Sequence, residues 1–201
     1  MENRPNDARP RILVFAGSTR HDSLNRKLAL EAAEALRSLG AHVTWADLRD
    51  YPMPLYDGDM EAQQGLPAAA KAFKNLVRAH DALLIASPEY NGSFPALIKN
   101  TIDWISRPEA GEKSLAALSG KTAAIISASP GAAGGRRGLR HLRELLEMVG
   151  MNVIGEQLAV GRAFEAFDAE GRLVRGEDRE GLLRVAAALK ESLSKSRSAA
   201  A

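Results

Sequence analysis

The strongest constraint on this chain is its rhythm: short apolar, β-favouring runs alternate with longer stretches whose apolar residues recur at helical spacing. Arg11-Ile12-Leu13-Val14-Phe15-Ala16 is one such run and ends at Gly17. From Ser23 onward, Leu24, Leu28, Ala32, Ala35, Leu36 and Leu39 share a helical face, and Gly40 is a natural stop. His42–Ala46, Asp81–Ala86, Thr122–Ala128 and Asn152–Leu158 predict four more strands. Helices are expected over about 67–80, 95–106, 139–149 and 177–193. The proline- and glycine-punctuated stretch Tyr51–Gly58 is expected to be loop. Such alternation predicts one parallel sheet covered on both faces, a three-layer α/β sandwich.

A chain of 201 residues suits one domain, expected over 11–194, with disordered tails at 1–10 and 195–201. It contains no cysteine, which excludes disulfides, thiolate catalysis, zinc fingers and cysteine-ligated iron–sulfur clusters. Lys+Arg 27 against Asp+Glu 25 leaves a net charge of +2, too little field to favour nucleic acid or membrane partners. No apolar run approaches the roughly 20 residues of a membrane-spanning helix. The polar start of the chain, with Glu2 and Asp7, lacks the pattern of a secretory or transit signal. A soluble cytoplasmic protein is expected, and no metal-ligand motif stands out.

In sheets of this kind ligands bind beyond the carboxyl ends of the strands, at the topological switch point. The loops there are the informative ones. The first, Gly17-Ser18-Thr19-Arg20-His21-Asp22-Ser23-Leu24-Asn25, offers hydroxyls, an amide and a guanidinium at a helix N-terminus. Free N–H groups and the helix dipole make that place suit an anion. Its single glycine and the lack of Gly-Lys-Ser/Thr distinguish it from dinucleotide and Walker A loops. Asp22 or Ser23 also reads as a plain helix cap.

The second loop, Ser87-Pro88-Glu89-Tyr90-Asn91-Gly92-Ser93-Phe94-Pro95, brackets a polar turn between prolines. A rigid turn of this kind can aim backbone groups at the edge of a flat heteroaromatic ligand. Downstream, Trp104 reads as core and Lys99 as a surface charge. The third loop, Ser127 to Gly135, carries glycines where a ligand or backbone comes close. Arg136, Arg137, Arg140 and Arg143 follow it and read mainly as a solvated helix face, with Arg136 and Arg137 also placed to attract a phosphate-rich dinucleotide.

Together the three loops resemble those of the NADPH-dependent FMN reductase family of the flavodoxin-like superfamily. Gly17-Ser18-Thr19-Arg20 with Ser23 and Asn25 is similar to that family's GSxRxxSxN phosphate loop. Pro88-Glu89-Tyr90-Asn91-Gly92-Ser93, Pro95, Lys99-Asn100 and Asp103-Trp104 resemble PEYNxSxPxxLKNxIDW, with Ala96 and Ile98 as small departures. Ser129, Gly131, Gly134 and Gly135 match its third loop, and Phe167–Gly171 its turn before the last helix.

The resemblance implies a flavodoxin-like sheet of five parallel strands in the order 2-1-3-4-5. It implies FMN, with the phosphate on Ser18, Arg20, Ser23 and Asn25. Pro88, Glu89, Tyr90, Asn91 and Gly92 would then lie at the isoalloxazine edge, mostly through backbone atoms, and Ser129 and Gly131 on the other side. It also implies NADPH or NADH as donor, a small-molecule acceptor (quinone, flavin, azo compound or chromate-like oxyanion), and a homodimer or dimer-of-dimers tetramer. No side-chain nucleophile is expected, because the cofactor carries the chemistry. The competing expectation is a non-enzymatic FMN-binding electron carrier or regulatory module. A nucleic-acid-binding domain built on Arg136–Arg143 has little support, since charge is balanced and no aromatics interleave.

Overall fold

The structure, a computed structural model, describes residues 9–199. Its elements run β1 (Arg11–Ala16), α1 (Leu24–Ser38), β2 (His42–Ala46), α2 (Gly58–Gln64), α3 (Ala68–Arg78), β3 (Ala82–Ala86), α4 (Ala96–Ile105), β4 (Thr122–Ala128), α5 (Arg136–Met148), β5 (Asn152–Val160) and α6 (Gly176–Ala199). All neighbouring strands pair in parallel, in the order β2-β1-β3-β4-β5.

Cover on both faces explains why the inner strands β1, β3 and β4 are nearly unbroken apolar runs rather than alternating ones, while the edge strands β2 and β5 are mixed. Ile12 and Val14 join Leu84 and Ile126 on one face, where Leu28 and Leu36 of α1 and Val185 and Leu189 of α6 cover them. Leu13 and Phe15 join Leu83, Ile85 and Ile125 on the other, beneath Phe73 of α3, Ile98 and Ile102 of α4, and Leu139, Leu142 and Leu146 of α5. Trp104 is fully buried and donates its indole N–H to Pro54 O at 2.8 Å, a core role as its spacing suggests. Lys99 pairs with Asp103 one turn on, as a surface charge.

Three elements differ from the sequence expectation. The first is α2, which lies in and after the stretch expected to be loop. It buries no residue, so it leaves no apolar period; Asp57 caps it, its Oδ1 accepting from Asp59 N at 2.8 Å. Next, β5 is longer than expected, because an irregularity in its pairing between Ala123 and Ile125 shifts the register and carries the strand on to Val160. Finally, α6 continues to Ala199, past the expected boundary at 194; of the tails, residues 1–8 and 200–201 lie outside the described residues.

His80, at the end of α3, ties that helix to β2. Its Nδ1 faces the carbonyl of Leu76 at 2.7 Å and must donate; in the neutral ring Nε2 then accepts from Thr44 Oγ1 at 2.7 Å. Burial lowers its pKa below the usual 6.5. The unfolded chain therefore binds the proton more readily, and the stability contributed by neutral His80 is lost as pH falls below about 6.5. The urea midpoint should drop between about pH 7.5 and pH 5.5, and His80→Gln should shrink that drop. An identical pH dependence in the variant would remove His80 from the account.

Candidate active site

The first loop leaves β1 with Gly17 N–H on Ala86 O at 2.9 Å. Gly17 lies under α4, where a Cβ would sit 2.4 Å from Ile98 Cδ1, so only a bare backbone lets loop and helix meet this closely. Ser18 Oγ accepts from Arg20 N at 3.3 Å and bends the loop tightly. Ser23 is the N-cap of α1: its hydroxyl accepts from Arg26 N at 3.3 Å. It takes only one of the first-turn N–H groups, and the others stay open to an anion. Arg20 is exposed, and its guanidinium makes no bond among the described residues.

Asn25 turns away from this opening. It is 3% exposed; its Nδ2 donates to Ala128 O at 2.8 Å while Oδ1 accepts from Ala128 N at 2.9 Å. The side chain thus ties the start of α1 to the end of β4, across 103 residues of sequence.

The second loop is a tight hairpin. Tyr90 and Ser93 exchange backbone bonds of 2.9 and 3.0 Å, and the residues between them, Asn91 (φ 52) and Gly92 (φ 77), both adopt left-handed conformations. Asn-Gly is the pair that such a turn favours. Pro88 is buried, Glu89 half-buried and Tyr90 49% exposed. The carboxylate of Glu89 leaves the loop and accepts from Gly138 N on α5 at 2.9 Å.

The third loop lies against both the second loop and the end of β5. Ser129 N–H donates to Val160 O at 3.0 Å, and Ser129 Oγ accepts from Gly131 N at 3.4 Å. Gly134 (φ +64) and Gly135 (φ +88) make the turn into α5. Ser127 Oγ, beneath Gly135, is buried with no hydrogen-bond partner among the described residues. Asn25, Gly17, Glu89 and Ser129 thus draw the sequence-predicted site residues of all three loops into one cluster at the carboxyl ends of β1, β3 and β4.

Other residues were not legible in the sequence. A cavity of about 290 Å3 adjoins Thr19 on the β2 side and is lined by Arg49, Tyr51, Met53, Leu97 and Asn100 among others. Arg49 is committed there: its Nη2 lies 2.6 Å from Asp47 Oδ2, and this hydrogen bond holds the Asp47 pKa down at about 2. Arg143 is also committed; it donates to Val153 O and Ile154 O at 3.0 and 2.7 Å instead of projecting into solvent. These carbonyls lie on the edge strand β5, where its pairing with β4 is irregular.

A doubly wound 2-1-3-4-5 sheet with an anion-ready loop after β1 and rigid turns after β3 and β4 defines a flavodoxin-like ligand-binding protein. Residues 10–165 match the model of the NADPH-dependent FMN reductases, and the chain belongs to that family. An NAD(P)H-dependent FMN reductase of Pseudomonas aeruginosa is 39% identical over 171 residues, covering 85% of this chain and 88% of that protein. A quinone reductase of Pseudomonas putida is 38% identical over 164 residues, covering 81% of this chain and 83% of its own. Among solved structures, the flavoenzyme NAD(P)H:(acceptor) oxidoreductase FerB of Paracoccus denitrificans superposes with a TM-score of 0.78 at 29% identity, over 92% of this chain and 98% of that one. The family is one of enzymes, with FMN and NAD(P)H as its cofactors.

Proposed function

We propose that this protein binds FMN in the three-loop cluster and passes two electrons from NADPH or NADH to a small-molecule acceptor, foremost a quinone. The observation that carries the reading is the mutual tying of the three loops by Gly17, Asn25 and Glu89 around an opening with unused donors. The residues suit a flat ring with an anionic tail. The Arg20 guanidinium has no partner among the described residues, α1 begins there with open N–H groups, and the Asn91–Gly92 turn presents a rigid backbone edge.

In this reading Ser18, Arg20 and the N-terminus of α1, capped by Ser23, bind the phosphate. Asn25 supports them by holding the loop to Ala128, rather than by offering its amide outward. The backbone of Pro88, Glu89, Tyr90, Asn91 and Gly92 orients the ring edge, and half-exposed Tyr90 shields it from water. Ser129 and Gly131 form the opposite wall. When bound, FMN supplies the hydride-accepting and electron-donating chemistry, and the protein supplies position and electrostatics. Free flavin, azo compounds and oxyanions such as chromate fall within the same proposed acceptor range.

Assembly into a homodimer or tetramer belongs to the same reading, and light scattering at a monomer mass would contradict that part. Among the described residues no helix is long and apolar enough to cross a membrane.

Steady-state oxidation of each nicotinamide donor against a panel of acceptors, on protein of known flavin content, tests the activity. Turnover with quinones is expected. A flavin-loaded protein that oxidises neither NADPH nor NADH would instead be an electron carrier or regulatory module.

A further inference from the structure

Helix α5 has no cap of its own. It begins behind Gly135, which has no side chain to offer, and the acceptor for its first turn arrives from the ring-facing loop. Glu89 Oε2 accepts from Gly138 N at 2.9 Å, placing a carboxylate at the positive end of the helix. A second tie runs in parallel: His141 Nδ1, one turn further along α5, lies 3.3 Å from Ser93 Oγ at the far end of the same hairpin. The packing depends on one small residue. A Cβ on Gly138 would lie 3.2 Å from both Glu89 Cβ and Ser93 O, whereas one on Gly135 would meet Ser127 Oγ rather than Glu89. The stem of Glu89 therefore lies against Gly138, where a larger residue would crowd it.

We propose that Glu89 is a positioning residue: its carboxylate clamps the Pro88–Pro95 loop to the N-terminus of α5 and sets where the ring-facing backbone stands. This rests on the FMN reading above and adds to it a division of labour within one residue. The backbone of Glu89 faces the ligand while its side chain is spent on the helix. The clamp also joins the second loop to the third, because Gly135 ends one and Gly138 anchors the other.

Glu89→Ala removes the clamp, whereas Glu89→Gln keeps an oxygen acceptor for Gly138 N–H and removes only the charge. Glu89→Ala should weaken FMN and riboflavin alike, by about tenfold. It should also move the visible absorption of bound flavin toward that of the free molecule. Glu89→Gln should recover most of both effects. A wild-type spectrum in Glu89→Ala, or a Gln variant as impaired as the Ala one, overturns the proposal. Gly138→Ala leaves Glu89 intact but wedges a methyl group against it and Ser93, and should reproduce the spectral shift; an unchanged spectrum counts against the clamp.

A third arm needs no flavin. In the flavin-free protein, exchange of the Gly138 amide hydrogen should quicken by about tenfold in Glu89→Ala. Equal exchange rates refute the clamp whatever the flavin does. Failure of the wild-type protein to bind FMN would instead refute the functional reading and leave this exchange measurement to decide the clamp.

Discussion

Gly134→Ala is expected to be among the most damaging single-methyl additions in this protein. Gly134 sits at φ +64, and a Cβ there would stand 2.6 Å from Ala159 C, 2.7 Å from Ala159 O and 2.9 Å from Gly161 N. All three are backbone atoms, at the end of β5, and cannot rotate away as a side chain could. The left-handed conformation alone costs a non-glycine residue about 1–2 kcal/mol, and forcing a packed backbone apart adds about 1–3 kcal/mol. For a domain of this size the sum lowers Tm by on the order of 10 °C. The third loop must also shift, because Ser129 and Arg162 bond across the same seam. Gly40 makes the control: its φ of +83 is similar, but a Cβ would meet nothing within 4 Å. Gly40→Ala should therefore show only the conformational part, and equal losses in the two variants would mean that the seam at β5 is not tight.

Changes in the phosphate loop should separate ligands rather than only weaken them. Ser18→Ala combined with Arg20→Ala removes a hydroxyl and an exposed guanidinium from the start of α1. Two charge-assisted contacts amount to about 3 kcal/mol, or about 100-fold in affinity for FMN. Riboflavin, which has no phosphate, should lose little. Asn25→Ala should behave differently. Its amide holds Ala128 N and O, so its removal loosens the first and third loops together and weakens FMN and riboflavin by similar factors. Isothermal titration of the two flavins against the two variants gives four affinities. A selective loss of FMN in Asn25→Ala would place that amide on the phosphate after all, and equal losses in the Ser18/Arg20 variant would move the phosphate elsewhere.

What the sequence reveals and what it hides follow one physical distinction. Strands buried on both faces must be apolar throughout, so β1, β3 and β4 announce themselves, and amphipathic α1 and α3 do so by period. Helix α2 buries nothing, so only its Asp57 cap marks it. The start of α5 is hidden because its capping group, Glu89, belongs to another loop 49 residues away. The loops of the site were legible as motifs, since each concentrates hydroxyls, prolines or glycines at a strand end. Roles within them were less so. Asn25 reads as a ligand until its partner Ala128 is seen, and Arg143 reads as solvated until the Val153 and Ile154 carbonyls of β5 are placed beneath it. Both depend on pairings between distant segments, which no local pattern records.

The central claim is that the tied loops around residues 18, 90 and 131 hold FMN, and a spectral titration of the purified wild-type protein tests it most directly. Micromolar FMN should bind with saturable quenching of its fluorescence and a shifted visible band, and anaerobic NADPH or NADH should then bleach that band. An FMN spectrum that stays unchanged up to about 100 μM protein, corresponding to a binding free energy weaker than about −5.5 kcal/mol, would contradict the account.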